Sequence, residues 1–185
     1  MSERKVLVLR TCKADMTSHG GFTWPESGPV ECPDWDATPE CGNGLHGLLW
    51  GEGDGSLLWW DDTARWLVLE VDRECTVSLL GGKVKFPRAI VVFVGSRFDA
   101  TSYLIAHGGQ GRAVVGATVS GGYSATVSGG SHATVSGGSH AILMTKYHDG
   151  SCYRIAVAYV NEDGIVPDVP YHVVDGKLVP KEMPK

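Results

Sequence analysis

The chain has no dense run of basic residues, no long apolar run and no CxxC-spaced cysteines. Its 16 Lys and Arg stand against 21 Asp and Glu, which gives a net charge of -5, whereas a protein that follows a phosphate backbone needs a basic surface. The apolar runs are shorter than the ~18 residues of a membrane-spanning helix, and the first apolar run is too short for a signal peptide. We therefore expect no nucleic-acid partner, no membrane association and a cytoplasmic location.

The five cysteines are irregularly spaced, which argues against both a secreted disulfide framework and a zinc ribbon. Cys12, His19, Cys32, Cys41 and His46 could in principle supply four zinc ligands, but their uneven gaps favour unliganded thiols. Cys41, His46 and Asp54 superficially offer a nucleophile, a base and an orienting carboxylate, but spacing within a glycine-rich loop does not fix such a geometry, and a structural turn is the favoured interpretation. We therefore assign no catalytic residue, no metal and no cofactor.

All six tryptophans lie before residue 109, so the main core should be formed by residues 1–108. Runs of β-branched residues predict strands at 5–10, 65–71 and 88–94. A short helix should begin with Asp99 as its N-cap and end at Gly108. The first part of the chain is thus predicted to be a β-rich globular core.

Residues 117–140 repeat one octad three times, as ATVSGGYS, ATVSGGSH and ATVSGGSH. This mixture of Gly, Ser, Thr and Val is a poor helix former. In an antiparallel meander with Gly-Gly turns, the Ala and Val of successive octads would point to opposite faces. In a parallel solenoid, with each octad a full or half rung, they would stack in inward columns. We therefore predict a short parallel β-solenoid at 109–148, with a meander or a flexible tether as alternatives.

Stacked octads would also align their polar residues. Four octad-terminal side chains would share one edge, namely Ser124, His132, His140 and His148. We interpret this edge as a solvated polar surface, with a metal or anion site and a partner-contact edge as alternatives. Thr118, Thr126 and Thr134 repeat like the ladder of an ice-binding solenoid, but three rungs without a Thr-x-Thr pair argue against that function.

The last part of the chain, residues 149–185, predicts a closing β-meander or cap. Residues 152–160 and 171–179 carry strand patterns, and Asp175-Gly176 is typical of a hairpin turn. The fold class expected for the whole chain is mainly β with a minor α+β component. Its order is a mixed β-rich core, a short parallel solenoid of octapeptide repeats and a β-meander.

The motif CGNGLHG at 41–47 is followed by the strand-like segments RWLVLEV and KVKFPRAIVV. This order, over about residues 6–145, resembles an uncharacterised family of small phage and actinobacterial proteins, some of which carry Gly-Ala-Thr repeats downstream. The resemblance implies a mobile-element accessory protein without enzymatic activity. Such a protein would bind a host protein, for instance as an inhibitor of a defence factor.

A second, remoter similarity is to the nicotinamide-binding segment of ADP-ribosyltransferases. It implies that His19, Gly20, Gly44 and His46 would hold a dinucleotide. The glutamate expected on a following strand is absent, because KVKFPRAIVV presents basic residues instead. A transferase-like enzyme or nucleotide binder is therefore an alternative function, and a structural oligomerisation module is another.

Two surfaces are candidate partner sites. Trp59 and Trp60 would point to opposite faces of an extended strand, and the exposed one, beside Asp61 and Asp62, would anchor a protein partner. Ile142 and Met144 flank an inward Leu143 and should form an outward apolar stripe, because side chains alternate along a strand. We expect that stripe to pack on the C-terminal meander or on a second copy in a homodimer.

Overall fold

In the computed structural model, which describes residues 4–182, most elements are β-strands and the helices are short. The predicted mainly β class is confirmed. The chain divides into two units between Gln110 and Gly111. Across residues 4–182, no helix combines the length and the apolar character needed to cross a membrane.

Unit 1 is built on one antiparallel sheet. Its strands are β1 (Lys5–Cys12), β2 (Gly28–Glu31), β3 (Leu45–Leu49), β4 (Arg65–Asp72), β5 (Val77–Ser78), β6 (Lys83–Phe86) and β7 (Arg88–Gly95). Their order in the sheet is β2-β7-β4-β1-β3-β6-β5. The three strands predicted from β-branched runs are confirmed as β1, β4 and β7. The central pair, β1 and β4, is buried over four consecutive residues in each strand, because both faces of the sheet are covered.

The single α-helix described in unit 1 is α1 (Arg97–Leu104). Its N-cap is Ser96, whose Oγ accepts a hydrogen bond from the backbone N–H of Asp99 at 3.2 Å and donates one to the Asp99 carboxylate at 2.7 Å. The prediction of Asp99 as the N-cap was wrong, because Asp99 lies in the first turn and Ser96 is the residue that caps the helix. The chain then continues as a π-helical turn, Ile105–Gly109, in which Gly108 adopts a φ of 117°.

Unit 2 contains the octads and the C-terminal segment. Its described strands are β8 (Thr118–Gly121), β9 (Thr126–Gly129), β10 (Thr134–Gly137), β11 (Ile142–His148), β12 (Tyr153–Tyr159), β13 (Tyr171–Val174) and β14 (Lys177–Pro180). They form two sheets, ordered β14-β13-β10-β8 and β12-β11-β9. The two sheets share a core that includes Val127, Val135, Leu143 and Tyr171.

The octads pair in parallel with the octad two positions along the chain. Thr134 lies opposite Thr118 in one sheet, and Ile142 lies opposite Thr126 in the other. One turn of the chain therefore takes sixteen residues, and successive octads alternate between the sheets. A full rung in each octad would have stacked all the valines in one column, and this possibility is wrong, because Val119 aligns with Val135 whereas Val127 belongs to the opposite sheet.

The corners between octads explain the paired glycines. A Cβ at the first glycine of a pair would meet side chains of the next octad, as at Gly129, where it would lie 2.5 Å from the Cβ of Ala133. The corner residues Ser124, His132 and His140 adopt φ values of 54°, 58° and 62°. His148 does not share their position, because it ends β11. The predicted four-residue polar edge is therefore wrong in its last member.

The C-terminal segment completes both octad sheets. β12 pairs antiparallel with β11, and β13 pairs antiparallel with β10. The predicted hairpin turn is confirmed, since Asp175 and Gly176 adopt φ values of 47° and 77° between β13 and β14. Positive φ at both central residues is the requirement of a type I′ turn.

Candidate functional site

A cleft opens in unit 1 where β1 and β3 diverge. The two strands pair at Val8 opposite Leu49 and at Leu9 opposite Leu48. Beyond these residues β1 continues along β4, while β3 continues along β6. The resulting cavity, here called the β1–β3 cleft, has a volume of about 760 Å³. Its walls include Arg10, Phe22, Trp24, Leu57 and Lys83, together with residues 41–48.

The four residues predicted to hold a dinucleotide all line this cleft. His19 and Gly20 lie in a short 3-10 turn, His19–Gly21, whereas Gly44 immediately precedes β3 and His46 lies within it. The structure thus brings together residues that are up to 27 positions apart in the sequence. Their role as cofactor ligands stays a prediction.

Arg10 bridges the two diverging strands. Its Nη1 donates a hydrogen bond to the backbone oxygen of His46 at 2.9 Å, and its guanidinium lies 4.1 Å from the ring centroid of Trp24. Burial lowers the pKa of Arg10 to about 10. The side chain is therefore still a cation at neutral pH.

His46 lies in a positive environment. It stands opposite Lys85 on the neighbouring strand. Burial lowers the pKa of His46 to about 4, and the charges of Lys83, Arg10 and Lys85 contribute in the same direction. The imidazole is therefore neutral at pH 7. Its Nε2 is buried without a hydrogen-bond partner in the part of the chain that the structure describes.

The two lysines of β6 strengthen this charge. Lys85 is only 1% exposed, with its Nζ 5.6 Å from the ring centroid of Trp35 and 3.5 Å from the Gly42 oxygen. The Nζ of Lys83 lies 2.9 Å from the Sγ of Cys41. Among residues 4–182, neither lysine forms an ion pair with a carboxylate.

The cysteines and histidines do not assemble into a metal site. Cys32, Cys41, His19 and His46 line the same cleft, but across residues 4–182 no group of three or more His, Cys, Asp or Glu is placed to hold a metal ion. The five cysteines are thiols. Cys12 is buried within the core, whereas the other four cysteines are partly or fully exposed.

The structure distinguishes the two adjacent tryptophans. Trp59 is 50% exposed, with the Nζ of Lys13 5.9 Å from its ring. Trp60 packs edge-to-face on Trp66 at 5.3 Å and donates its Nε1–H to the Gly55 oxygen at 2.8 Å. Trp59, beside the exposed Asp61 and Asp62, is therefore the accessible member, and its role as a partner anchor stays a prediction.

The predicted stripe of Ile142 and Met144 continues onto β12. Ile142 lies opposite Tyr159 and Met144 lies opposite Val157, so these four side chains share one face of the sheet. Tyr159 and Val157 are exposed, as is Ile155 on the same face. Because β12 of the C-terminal segment pairs with β11, it widens this apolar face.

The octads expose two pairs of hydroxyl groups. Thr118 and Ser120 point outward from β8, and Thr126 and Ser128 point outward from β9. The third threonine, Thr134, is buried, and its Oγ1 accepts a hydrogen bond from the Nζ of Lys181 at 2.8 Å. Each octad sheet therefore presents one exposed Thr-x-Ser pair on the described strands.

The chain is thus a β-protein that joins an antiparallel sheet unit with a cationic cleft to a unit of parallel octads. Residues 6–105 match the family described as "Domain of unknown function (DUF7666)", and the chain belongs to that family. No solved structure matches the chain.

Three curated relatives are ice nucleation proteins. Ice nucleation protein InaU of Pantoea ananas is 47% identical over 108 residues, which cover 58% of this chain and 10% of the relative. The protein of Xanthomonas campestris pv. translucens is 46% identical over 108 residues, 58% of this chain and 7% of the relative. That of Pseudomonas syringae is 48% identical over 107 residues, 57% of this chain and 9% of the relative. The chain therefore spans about a tenth of the length of these relatives.

At least part of the matched segment lies in unit 1. Unit 2 runs from residue 111 to residue 185 and so has 75 residues, which leaves at least about 33 of the 108 matched residues in unit 1. The expected phage and actinobacterial family was wrong, as was the function of a host-defence inhibitor inferred from it. The CGNGLHG motif was too short to choose between families.

Proposed function

We propose that this chain acts in ice nucleation, as a unit whose exposed hydroxyl groups order water when several copies lie side by side. The observation that carries the proposal is the 46–48% identity to proteins named for ice nucleation. Because the chain spans about a tenth of their length, its part in the process is that of a small unit and not of the complete nucleating surface.

The exposed Thr-x-Ser pairs are the groups that would contact water. Side chains two residues apart on a strand lie ~6.6 Å apart and face the same way. Thr118 and Ser120 form one such pair, and Thr126 and Ser128 form the other. Parallel pairing with the octad two positions away holds each pair in a fixed register.

One chain offers little of this surface, because each sheet carries a single exposed pair and Thr134 is covered. A larger surface requires association of chains. The apolar face formed by Ile142, Met144, Val157 and Tyr159 is suited to a symmetric homodimer, since β12 is the edge strand of its sheet and edge strands pair readily with a second chain. The homodimer predicted from the stripe is therefore retained as a proposal.

Droplet freezing tests the function directly. Polystyrene beads that carry the full chain should freeze supercooled droplets at a higher median temperature than beads that carry albumin. Replacement of the hydroxyl pairs, as Thr118→Val, Ser120→Ala, Thr126→Val and Ser128→Ala, should remove most of that increase. The matched control replaces exposed hydroxyl groups of unit 1, as Thr38→Val and Ser78→Ala, and should freeze like the wild type. Equal freezing of the wild type and albumin would overturn the proposal.

The dimer is tested by light scattering of the full chain at high micromolar concentration. The double change Ile155→Lys and Val157→Lys should release monomers while leaving the circular dichroism spectrum unchanged, because both side chains are exposed. A wild-type protein that is monomeric at that concentration would contradict the dimer. The cytoplasmic location expected from the sequence likewise stays a prediction, which fractionation of expressing cells would test.

A further inference from the structure

The β1–β3 cleft is lined by cationic side chains that are not paired with carboxylates of the described chain. Arg10 and Lys83 line it, and neither forms an ion pair with a carboxylate among residues 4–182. The one acidic residue on the wall, Asp34, is not among the charges that act on Arg10 or His46. The chain as a whole is acidic, with a net charge of -5. The positive charge of the cleft is therefore a local feature that the overall composition does not explain.

The cleft also contains polar groups that lack partners. Trp24 is 2% exposed, and its Nε1–H has no hydrogen-bond partner in the described chain; the same holds for His46 Nε2. Buried polar atoms are paired in the great majority of native structures, so each exception calls for an explanation. Both residues line the cleft, where a bound ligand could supply the missing partner.

The cations have capacity left for a ligand. A guanidinium has five donor hydrogens in a planar fork; the protein hydrogen bonds described for Arg10 are those to His46 O at 2.9 Å and to Thr11 O at 3.4 Å. The polar contact described for Lys83 Nζ is the thiol of Cys41. Guanidinium and ammonium groups bind carboxylates and phosphates through short, charge-assisted hydrogen bonds.

The remaining walls are apolar. Phe22 and Leu57 line the cleft, and its volume of about 760 Å³ lies within the ~300–1,000 Å³ range of small-molecule sites. An inorganic ion alone would leave most of this space unfilled. We propose that the cleft binds a small organic anion, whose carboxylate or phosphate contacts Arg10 and Lys83 while its apolar part packs against Phe22 and Leu57.

This site is independent of the ice-nucleation proposal, because the hydroxyl pairs belong to unit 2 and the cleft to unit 1. Isothermal titration calorimetry of the full chain with phenyl phosphate, benzoate and benzyl alcohol tests it. At least one of the two anions should bind, and benzyl alcohol, which has the same ring without the charge, should bind at least about tenfold more weakly. Preference for phenyl phosphate would identify a phosphate ligand, and preference for benzoate a carboxylate.

The variants separate the charge from the fold. Lys83→Gln should lower the affinity for the preferred anion by about tenfold or more. Arg73→Gln removes an exposed cation that does not line the cleft and should leave that affinity unchanged. Arg10→Gln should act like Lys83→Gln if circular dichroism shows a folded protein; if it does not, Lys83→Gln decides. Absence of binding by both anions at millimolar concentration, equal binding of benzyl alcohol, or unchanged affinity in Lys83→Gln would each overturn the proposal.

Discussion

Gly138 lies directly on Gly122 of the preceding coil. A Cβ at Gly138 would stand 3.0 Å from the carbonyl carbon of Gly122 and 2.9 Å from the amide nitrogen of Tyr123. The backbone N–H of Gly138 donates to the oxygen of Gly121 at 3.0 Å. Backbone packed against backbone leaves no flexible atom to move aside, so this corner requires glycine.

The first prediction compares these two glycines. Gly138→Ala should lower the free energy of unfolding by about 1–3 kcal/mol, because the added methyl forces adjacent coils apart. Gly122→Ala should change it by less than about 1 kcal/mol, since a Cβ there would meet no described atom within 4 Å. Urea unfolding of both variants measures the difference. Equal destabilisation would contradict the sixteen-residue coil.

A second prediction concerns the inner and outer faces of β9. Val127 is buried in the core of unit 2, whereas Ser128 is exposed. Val127→Asp should cost about 3 kcal/mol or more, because it buries an unpaired carboxylate. Ser128→Asp should cost less than about 0.5 kcal/mol. Thermal melting of the two variants at pH 7 compares them, and coincident melting curves would reject the assignment of faces.

Acid should destabilise unit 1 through His46. The pKa of this imidazole is lowered to about 4 in the folded chain, against about 6.5 when unfolded. Between these values the unfolded chain binds a proton that the folded chain does not, so stability present above pH 6.5 is lost as the pH falls toward 4. The loss should be on the order of 1–2 kcal/mol, since the ring is partly exposed.

Urea unfolding at pH 7 and pH 4.5 tests this linkage, with His46→Gln as the matched variant. The wild type should lose more stability between the two pH values than the variant does, because glutamine does not titrate. Other titrating groups contribute alike to both proteins and therefore cancel in the comparison. Parallel losses would mean that His46 is protonated normally in the folded chain.

The adjacent tryptophans should differ in their effect on stability. Trp60→Ala removes a ring that packs on Trp66 and a hydrogen bond to Gly55, and should cost about 2–3 kcal/mol. Trp59→Ala removes a half-exposed ring and should cost less than about 1 kcal/mol. Melting temperatures of the two variants provide the comparison. A larger loss in Trp59→Ala would reverse the assignment of the accessible tryptophan.

The sequence predicted those elements that are determined by residues close together in the chain. The buried strands β1, β4 and β7 follow from consecutive β-branched residues, and the turn at Asp175 and Gly176 follows from residues that tolerate positive φ. The octad repeat did not fix whether an octad is a full or a half turn, because that depends on which octads pair across sixteen residues.

The site could be predicted only in part for the same reason. His19, Gly20, Gly44 and His46, which the remoter resemblance named together, line one cleft, and their role stays a prediction. Arg10 was not recognised, because its contact with His46 spans 36 positions. The cleft arises where two strands cease to pair, and the sequence of either strand contains no signal for that divergence. The outward direction of Ile142 and Met144 was predictable, since side chains alternate along a strand.

Hydroxyl pairs that order water when copies lie side by side should act more strongly as the copies become denser. The median freezing temperature of droplets containing beads that carry the full chain at increasing surface density measures this dependence. We expect a freezing temperature that rises with density for the wild type and stays near that of albumin-coated beads when Thr118, Ser120, Thr126 and Ser128 lose their hydroxyl groups. A wild-type freezing temperature that does not depend on density, or that equals the variant's at every density, would contradict this expectation.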